Sequence, residues 1–125
     1  MDIPNKKPSI VVSDTEDHMI IHKSVCNQKL NVSMILGVSP DGAIQEYAQR
    51  MEIPYRAYNA MGTSVMETAE RDTAITEAAN GLLVIQRENA GYQDVTKSLV
   101  SRMLNMNKPV LVIRYGVVSF QRINF

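Results

Sequence analysis

"ILGVSPDGAIQEYA", residues 35–48, decides the fold. An apolar run, Val32–Leu36, ends in Gly37, and Val38-Ser39-Pro40-Asp41-Gly42 follows as strong turn chemistry. A helix pattern then begins at Ala43, with Ile44, Tyr47, Ala48 and Met51 on one face. The segment therefore reads as strand, tight loop, helix. In a parallel α/β sheet this junction is where ligands are usually held, because backbone N–H groups at the helix start face whatever lies beyond the strand.

Working outward, the same alternation repeats. The runs Ser9–Ser13, Val32–Leu36, Pro54–Tyr58, Leu82–Ile85 and Val110–Ile113 read as strands. Four are dense in Val, Ile and Leu, continuous rather than alternating, as expected of strands covered on both faces. The third is weaker and suits a sheet edge. Between them lie helix patterns at Asp17–Leu30, Ala43–Met51, about Ser64–Asn80 and Asp94–Met106. Asp14 or Thr15 is the candidate N-cap of the first helix. Glu52-Ile53-Pro54, Asn80-Gly81 and Asn107-Lys108-Pro109 are stops for the other three. The order βαβαβαβαβ predicts an α/β fold, a three-layer sandwich with a mostly parallel sheet of about five strands and right-handed crossovers. In the tail from Tyr115, VVSF (117–120) is a candidate sixth strand.

The 125 residues suit one domain, 1–125, with 1–8 and 115–125 as candidate terminal extensions. The chain is 45% hydrophobic, enough to bury a core, and its 13 basic residues balance 13 acidic ones. That balance argues against a nucleic-acid partner. Apolar runs of four or five residues argue against a membrane span, and MDIPNKKPSIVV has no long apolar stretch to serve as a secretory signal. The single cysteine, Cys26, excludes an internal disulfide and fits a packing role in a reducing cytoplasm. The eight methionines fall mostly on helices at core spacing and read as packing. His18 and His22 are four apart, a spacing that can bind metal, but no third ligand stands at a persuasive distance, so neither a metal nor a cofactor is expected.

In such a fold a ligand lies beyond the C-terminal strand ends. The loops that qualify are Ser13-Asp14-Thr15-Glu16-Asp17, Gly37–Gly42, Gly62-Thr63-Ser64 and Gln86–Tyr92. Gly37 would let backbone approach a ligand, or glycine and proline simply turn the chain. Arg71 could clamp a phosphate or carboxylate, or pair locally with Glu67 one turn earlier. Asp94 could be an N-cap, or bind a ribose hydroxyl, or act as an acid–base carboxylate.

Three segments together resemble the SLOG superfamily of Rossmann-like nucleotide-binding domains, whose relatives include phosphoribohydrolases of the LOG type, DprA-like domains and a stand-alone YspA-like group. "LGVSPDGAIQEYAQRMEIPYRAYNA" is similar to that group's strand, Gly-rich loop, helix and "GIPV" strand. "ERDTAITEAANGLLVI" is similar to its arginine-bearing helix and "ADALI" strand. "NAGYQDVTKSLVSRMLNMNKPVLVI" is similar to the "GGxGT" loop, its helix and the "KPV" strand. The likeness covers roughly Ser9–Ile113.

The resemblance implies a Rossmann-like sandwich that binds a nucleotide or a nucleotide-derived metabolite for sensing or sequestration. It carries ligand contacts over to Gly37, Gly42, Arg71, Gly91 and Asp94, and the loops around them add Ser13, Asp14, Thr15, Val38, Ser39, Asp41 and Tyr92 as candidate contacts. Arg71 would meet phosphate, Asp94 ribose, and Tyr92 would stack on a base. It also implies a homo-oligomer, and so short a chain would suit a phage. The departures are Asp14 and Glu16 in the first loop, Glu88-Asn89-Ala90 for the double glycine, Tyr92 for threonine and Val95 for the second catalytic glutamate. They weaken the phosphate cradle. Two alternatives remain open: an N-glycosidase acting on nucleoside monophosphates, with Asp94 and Arg71 as catalytic residues, and a protein-interaction module that has lost its pocket.

Overall fold

In a computed structural model, which describes residues 7–26, 32–38, 42–60, 62, 64–116 and 120–124, strands and helices alternate as the sequence pattern requires. The elements are β1 (Lys7–Ser13), α1 (His18–Cys26), β2 (Val32–Gly37), α2 (Ala43–Arg50), β3 (Tyr55–Ala57), α3 (Val65–Ala78), β4 (Gly81–Arg87), α4 (Asp94–Asn105), β5 (Val110–Tyr115) and β6 (Phe120–Asn124). The sheet order is β3-β2-β1-β4-β5-β6, with β3, β2, β1, β4 and β5 parallel and β6 antiparallel to β5. The weak third strand is an edge, as its composition suggested.

The continuous apolar runs are explained by the two cores. In β4, residues Leu82 to Gln86 are all buried, because alternate side chains enter opposite layers. Leu82 and Val84 pack with Ile10, Val12, Ile75, Leu99 and Met103 on the α3/α4 side. Leu83 and Ile85 pack with Val11, Ile21, Ile35, Tyr47 and Ala48 on the α1/α2 side. Each fully buried Leu or Ile contributes about 1.5–3 kcal/mol.

Helix ends follow local chemistry. The Asp17 Oδ1 accepts from the Met19 N–H at 2.9 Å, so Asp17 caps α1 rather than Asp14 or Thr15. Thr15 lies two residues too early and instead accepts from the Asp17 N–H. Ser64 caps α3 by accepting from Glu67 N–H. Two helices close in Schellman turns: Ile53 N–H reaches Ala48 C=O at 2.8 Å and Lys108 N–H reaches Met103 C=O at 2.9 Å. The residues that turn left-handed there are Glu52 (φ 57°) and Asn107 (φ 57°).

The expected sixth strand is present as Phe120–Asn124; residues 117–119 of the expected VVSF stretch lie outside the described residues. Only the four residues 116–119 separate it from β5, too few for a crossover, so it returns antiparallel. Two expectations are corrected. Among the described residues the methionines are not mainly core: Met103 is buried, but Met19, Met51, Met66 and Met106 are exposed, because they lie in first turns or at C-caps beyond the packed faces. Cys26 is also exposed, at the last residue of α1, with its sulfur 3.5 Å from His22 Nδ1. The first helix was expected to reach Leu30; residues 27–31 lie outside the described part. Among the described residues no helix is long and apolar enough to cross a membrane.

Candidate functional site

From β1 the chain winds one way through β2 to β3, then returns to β4 on the other flank of β1 and winds the opposite way. β1 and β4 stay paired to their C-terminal ends, and the loops after them leave in opposite directions. That switch point is where open α/β sheets hold ligands. Here it opens into a cleft of about 500 Å³.

One wall is the end of β1 and the loop after it, and Ser13, Asp14, Thr15 and Glu16 all line the cleft. Ser13 Oγ accepts from Thr15 N–H and donates to Thr15 C=O, folding the loop over itself. The Asp14 carboxylate bridges two other strands: Oδ1 accepts from the Tyr115 hydroxyl at 2.6 Å, and Oδ2 accepts from the Arg87 N–H at 2.7 Å. Burial first, and the hydrogen bond to Asp14 second, push the Tyr115 hydroxyl pKa up.

The facing wall is Gly37 and Val38 at the end of β2, then Gly42 to Ile44 at the start of α2. Gly37 is required by a neighbour rather than by a turn: a Cβ there would overlap the Tyr55 hydroxyl and ring. At Gly42 and Gly91 an added Cβ meets nothing, because both face open space in the cleft. Ser39 and Asp41 lie outside the described residues.

The floor is made by β4 and α4. Gln86, only 4% exposed, donates from Nε2 to Ala90 C=O and Gly91 C=O at 2.9 and 2.8 Å and so shapes the β4–α4 loop. Its Oε1 has no hydrogen-bond partner among the described residues. Thr96, 5% exposed, lines the same floor, and its hydroxyl likewise has no partner among the described residues. The N-caps of α2 and α4, Gly42 and Gln93, supply no side-chain bond to the first amides of these helices, which start beside the cleft.

The remaining predicted residues are placed elsewhere. Tyr92 does not line the cleft; Arg114 donates to its hydroxyl at 3.1 Å, with the guanidinium 5.5 Å from the ring centre. Asp94 is exposed at the first position of α4 and points away, while Val95 and Thr96 point in. It is not the N-cap, which is Gln93. Arg71 pairs with its neighbour Asp72, Nε to Oδ1 at 2.9 Å, rather than with Glu67, and does not reach the cleft. The structure therefore does not assemble Arg71 and Asp94 into a catalytic pair.

Gln86 and Thr96 escaped notice as single residues although both left a signal. Gln86 extends the buried LLVI run, and Thr96 shares a helix face with Leu99 and Met103 at helical spacing. His18 and His22 have protein partners, with Arg50 Nη1 donating to His18 Nδ1 at 2.9 Å and the Tyr47 hydroxyl 2.9 Å from His22 Nδ1. Among the described residues no group of three or more His, Cys, Asp or Glu could hold a metal ion.

No known family model matches the chain, and no curated protein matches it. Among solved structures it is similar to phosphoribosylglycinamide formyltransferase from Streptococcus pneumoniae TIGR4, with 17% identity and a TM-score of 0.52. The match covers 86% of this chain and 56% of that one, so the chain spans little more than half of that protein. At this identity the likeness shows a Rossmann-like α/β fold and nothing finer.

Proposed function

We propose that this chain is a binding domain, of SLOG-like kinship, whose switch-point cleft takes a nucleotide-derived metabolite. The observation that carries the reading is the cleft itself. About 500 Å³ of space falls at the ligand position of the fold, with buried polar groups facing it and two helix starts beside it whose N-cap residues make no side-chain bond. Binding is favoured over N-glycosidic cleavage because Arg71 and Asp94 stand outside the cleft. Of the carboxylates that line it, Asp14 is already held by Tyr115 and Arg87. The order of the three SLOG-like segments supports the kinship.

Self-association is part of the proposal and rests on exposed apolar side chains such as Val65 and Met66 in the first turn of α3. The test is to purify the chain natively, weigh it intact, denature it and identify any released small molecule by mass spectrometry. Thermal shifts against nucleobases, nucleosides and nucleotides accompany this. A ligand at a hundred times its Kd stabilises the fold by about 2.7 kcal/mol, a shift that is easily seen. Gly91→Val, which fills open space in the cleft, is expected to fold normally and lose that shift. A protein that carries no small molecule and ignores the whole panel would refute the reading.

A further inference from the structure

We infer that the cleft selects an uncharged nucleoside and rejects its phosphorylated forms; this rests on the binding function proposed above and narrows it. The first argument is charge. Among the described residues that line the cleft, the ionisable side chains that carry charge at neutral pH are Asp14 and Glu16, and there is no lysine or arginine. A polar depression adjoining it shares Glu16, Gly42 and Ala43 and adds a further acid, Glu46. Several cations elsewhere are already engaged: Arg71 by Asp72, Arg50 by His18, Arg114 by Tyr92, and Lys108 by carbonyls of the last turn of α3.

A monophosphate brings roughly two negative charges near neutral pH. The starts of α2 and α4 offer only about half a positive charge each, which leaves two facing carboxylates uncompensated. Repulsion therefore outweighs the helix ends for a phosphate and is absent for an uncharged ligand.

The second argument is what the cleft offers instead. The Gln86 Oε1 accepts, and the Thr96 hydroxyl both donates and accepts. Both groups are more than nine-tenths buried, both face the cleft, and neither has a partner among the described residues. Neutral buried groups of this kind match the hydroxyl and amino groups of a nucleoside without needing a counter-charge. Ile44, Tyr55 and Val95 supply apolar surface against which a ring can pack.

The test is calorimetry on the full chain with adenosine, guanosine, cytidine and uridine, each against its 5′-monophosphate, at low and moderate salt. One nucleoside is expected to bind, with its monophosphate weaker by on the order of tenfold, and salt is expected to narrow the gap. Glu16→Gln changes an exposed residue and is expected to raise monophosphate affinity selectively. Thr96→Val, nearly isosteric, is expected to weaken nucleoside binding about fivefold, the worth of one ordinary hydrogen bond. Equal or tighter binding of the monophosphate would overturn the charge selection while leaving the binding function standing. Failure of both sets to bind would overturn the two together.

Discussion

Replacing Asp14 by alanine tests whether one carboxylate holds three strands in place at the cleft. Asp14 follows the last residue of β1 and accepts the Tyr115 hydroxyl from the end of β5 and the Arg87 N–H from the end of β4, at 2.6 and 2.7 Å. Hydrogen bonds to charged groups are worth about 1.5–3 kcal/mol each, and the exposure of Asp14 puts both at the low end. Asp14→Ala removes the two and is expected to cost about 3 kcal/mol. Tyr115→Phe removes one and is expected to cost about 1.5 kcal/mol. The double variant is expected to cost no more than Asp14→Ala alone, because the Tyr115 hydroxyl has already lost its acceptor there, giving a coupling energy of about 1.5 kcal/mol.

Urea unfolding followed by far-UV circular dichroism, with the m-value checked for constancy, measures all four corners. An alkaline signature accompanies the cycle. Burial and then Asp14 raise the folded-state Tyr115 pKa, so the stability it contributes is complete below pH 10 and declines as pH climbs past 10 through the folded value. That decline is expected to shrink in Asp14→Ala. If Tyr115→Phe costs the same in the Asp14→Ala background as in wild type, the link does not stabilise the fold and the reasoning fails.

Three further outcomes follow from the geometry. Burial, and then the nearby Cys26 sulfur, push the Tyr47 hydroxyl up to about 12, so its contribution is full below pH 10 and lost between there and about 12. Two units at about 1.4 kcal/mol each predict that wild type loses about 2–3 kcal/mol more than Tyr47→Phe between pH 9 and 12, and equal losses in urea melts would contradict this. Gly37→Ala would force the Tyr55 ring aside at a cost of about 1–3 kcal/mol, and adding Tyr55→Leu should recover most of it; no recovery would show that the ring is not the obstacle. Glu52→Gly relieves a left-handed residue at the end of α2 and should raise the unfolding free energy by about 1 kcal/mol, visible as a higher urea midpoint.

The fold was legible because burial on both faces leaves continuous apolar runs, and β1, β2, β4 and β5 all have them. β3 could be recognised as an edge because PYRA lacks such a run. Strand order was less legible. Nothing local in Ser9–Ser13 or Leu82–Ile85 says that β1 and β4 are neighbours; that adjacency arises when the chain crosses back through α3.

Of the candidate site, the sequence placed the loops around the cleft, but several of the side chains named from it lie elsewhere. Gly37, Gly42 and Gly91 reach the cleft because backbone position follows from element order. Arg71 and Asp94 do not, because a motif gives a residue type at a spacing and not the direction of its side chain. On α4, one step from Asp94 to Val95 turns the side chain by about 100° about the helix axis, from solvent into the cleft. Neutral polar residues on buried faces, Gln86 and Thr96, carry no motif at all, and their burial is their only mark.

Asp14 joins the structural and the functional arguments. The loop after β1 holds a carboxylate whose two oxygens stitch β1 to β4 and β5. A carboxylate that stabilises the strand ends is incompatible with a dianion a few ångströms away unless a cation stands between them, and no lysine or arginine among the described residues lines the cleft. The two demands are reconciled if the ligand has no charge at that point. The Asp14 link then fixes the wall of the cleft, while Gln86 and Thr96 on the floor meet the ligand's hydroxyl and amino groups. On the proposed reading the acids would favour a neutral molecule, and stability and selectivity would fall on the same side chain, Asp14.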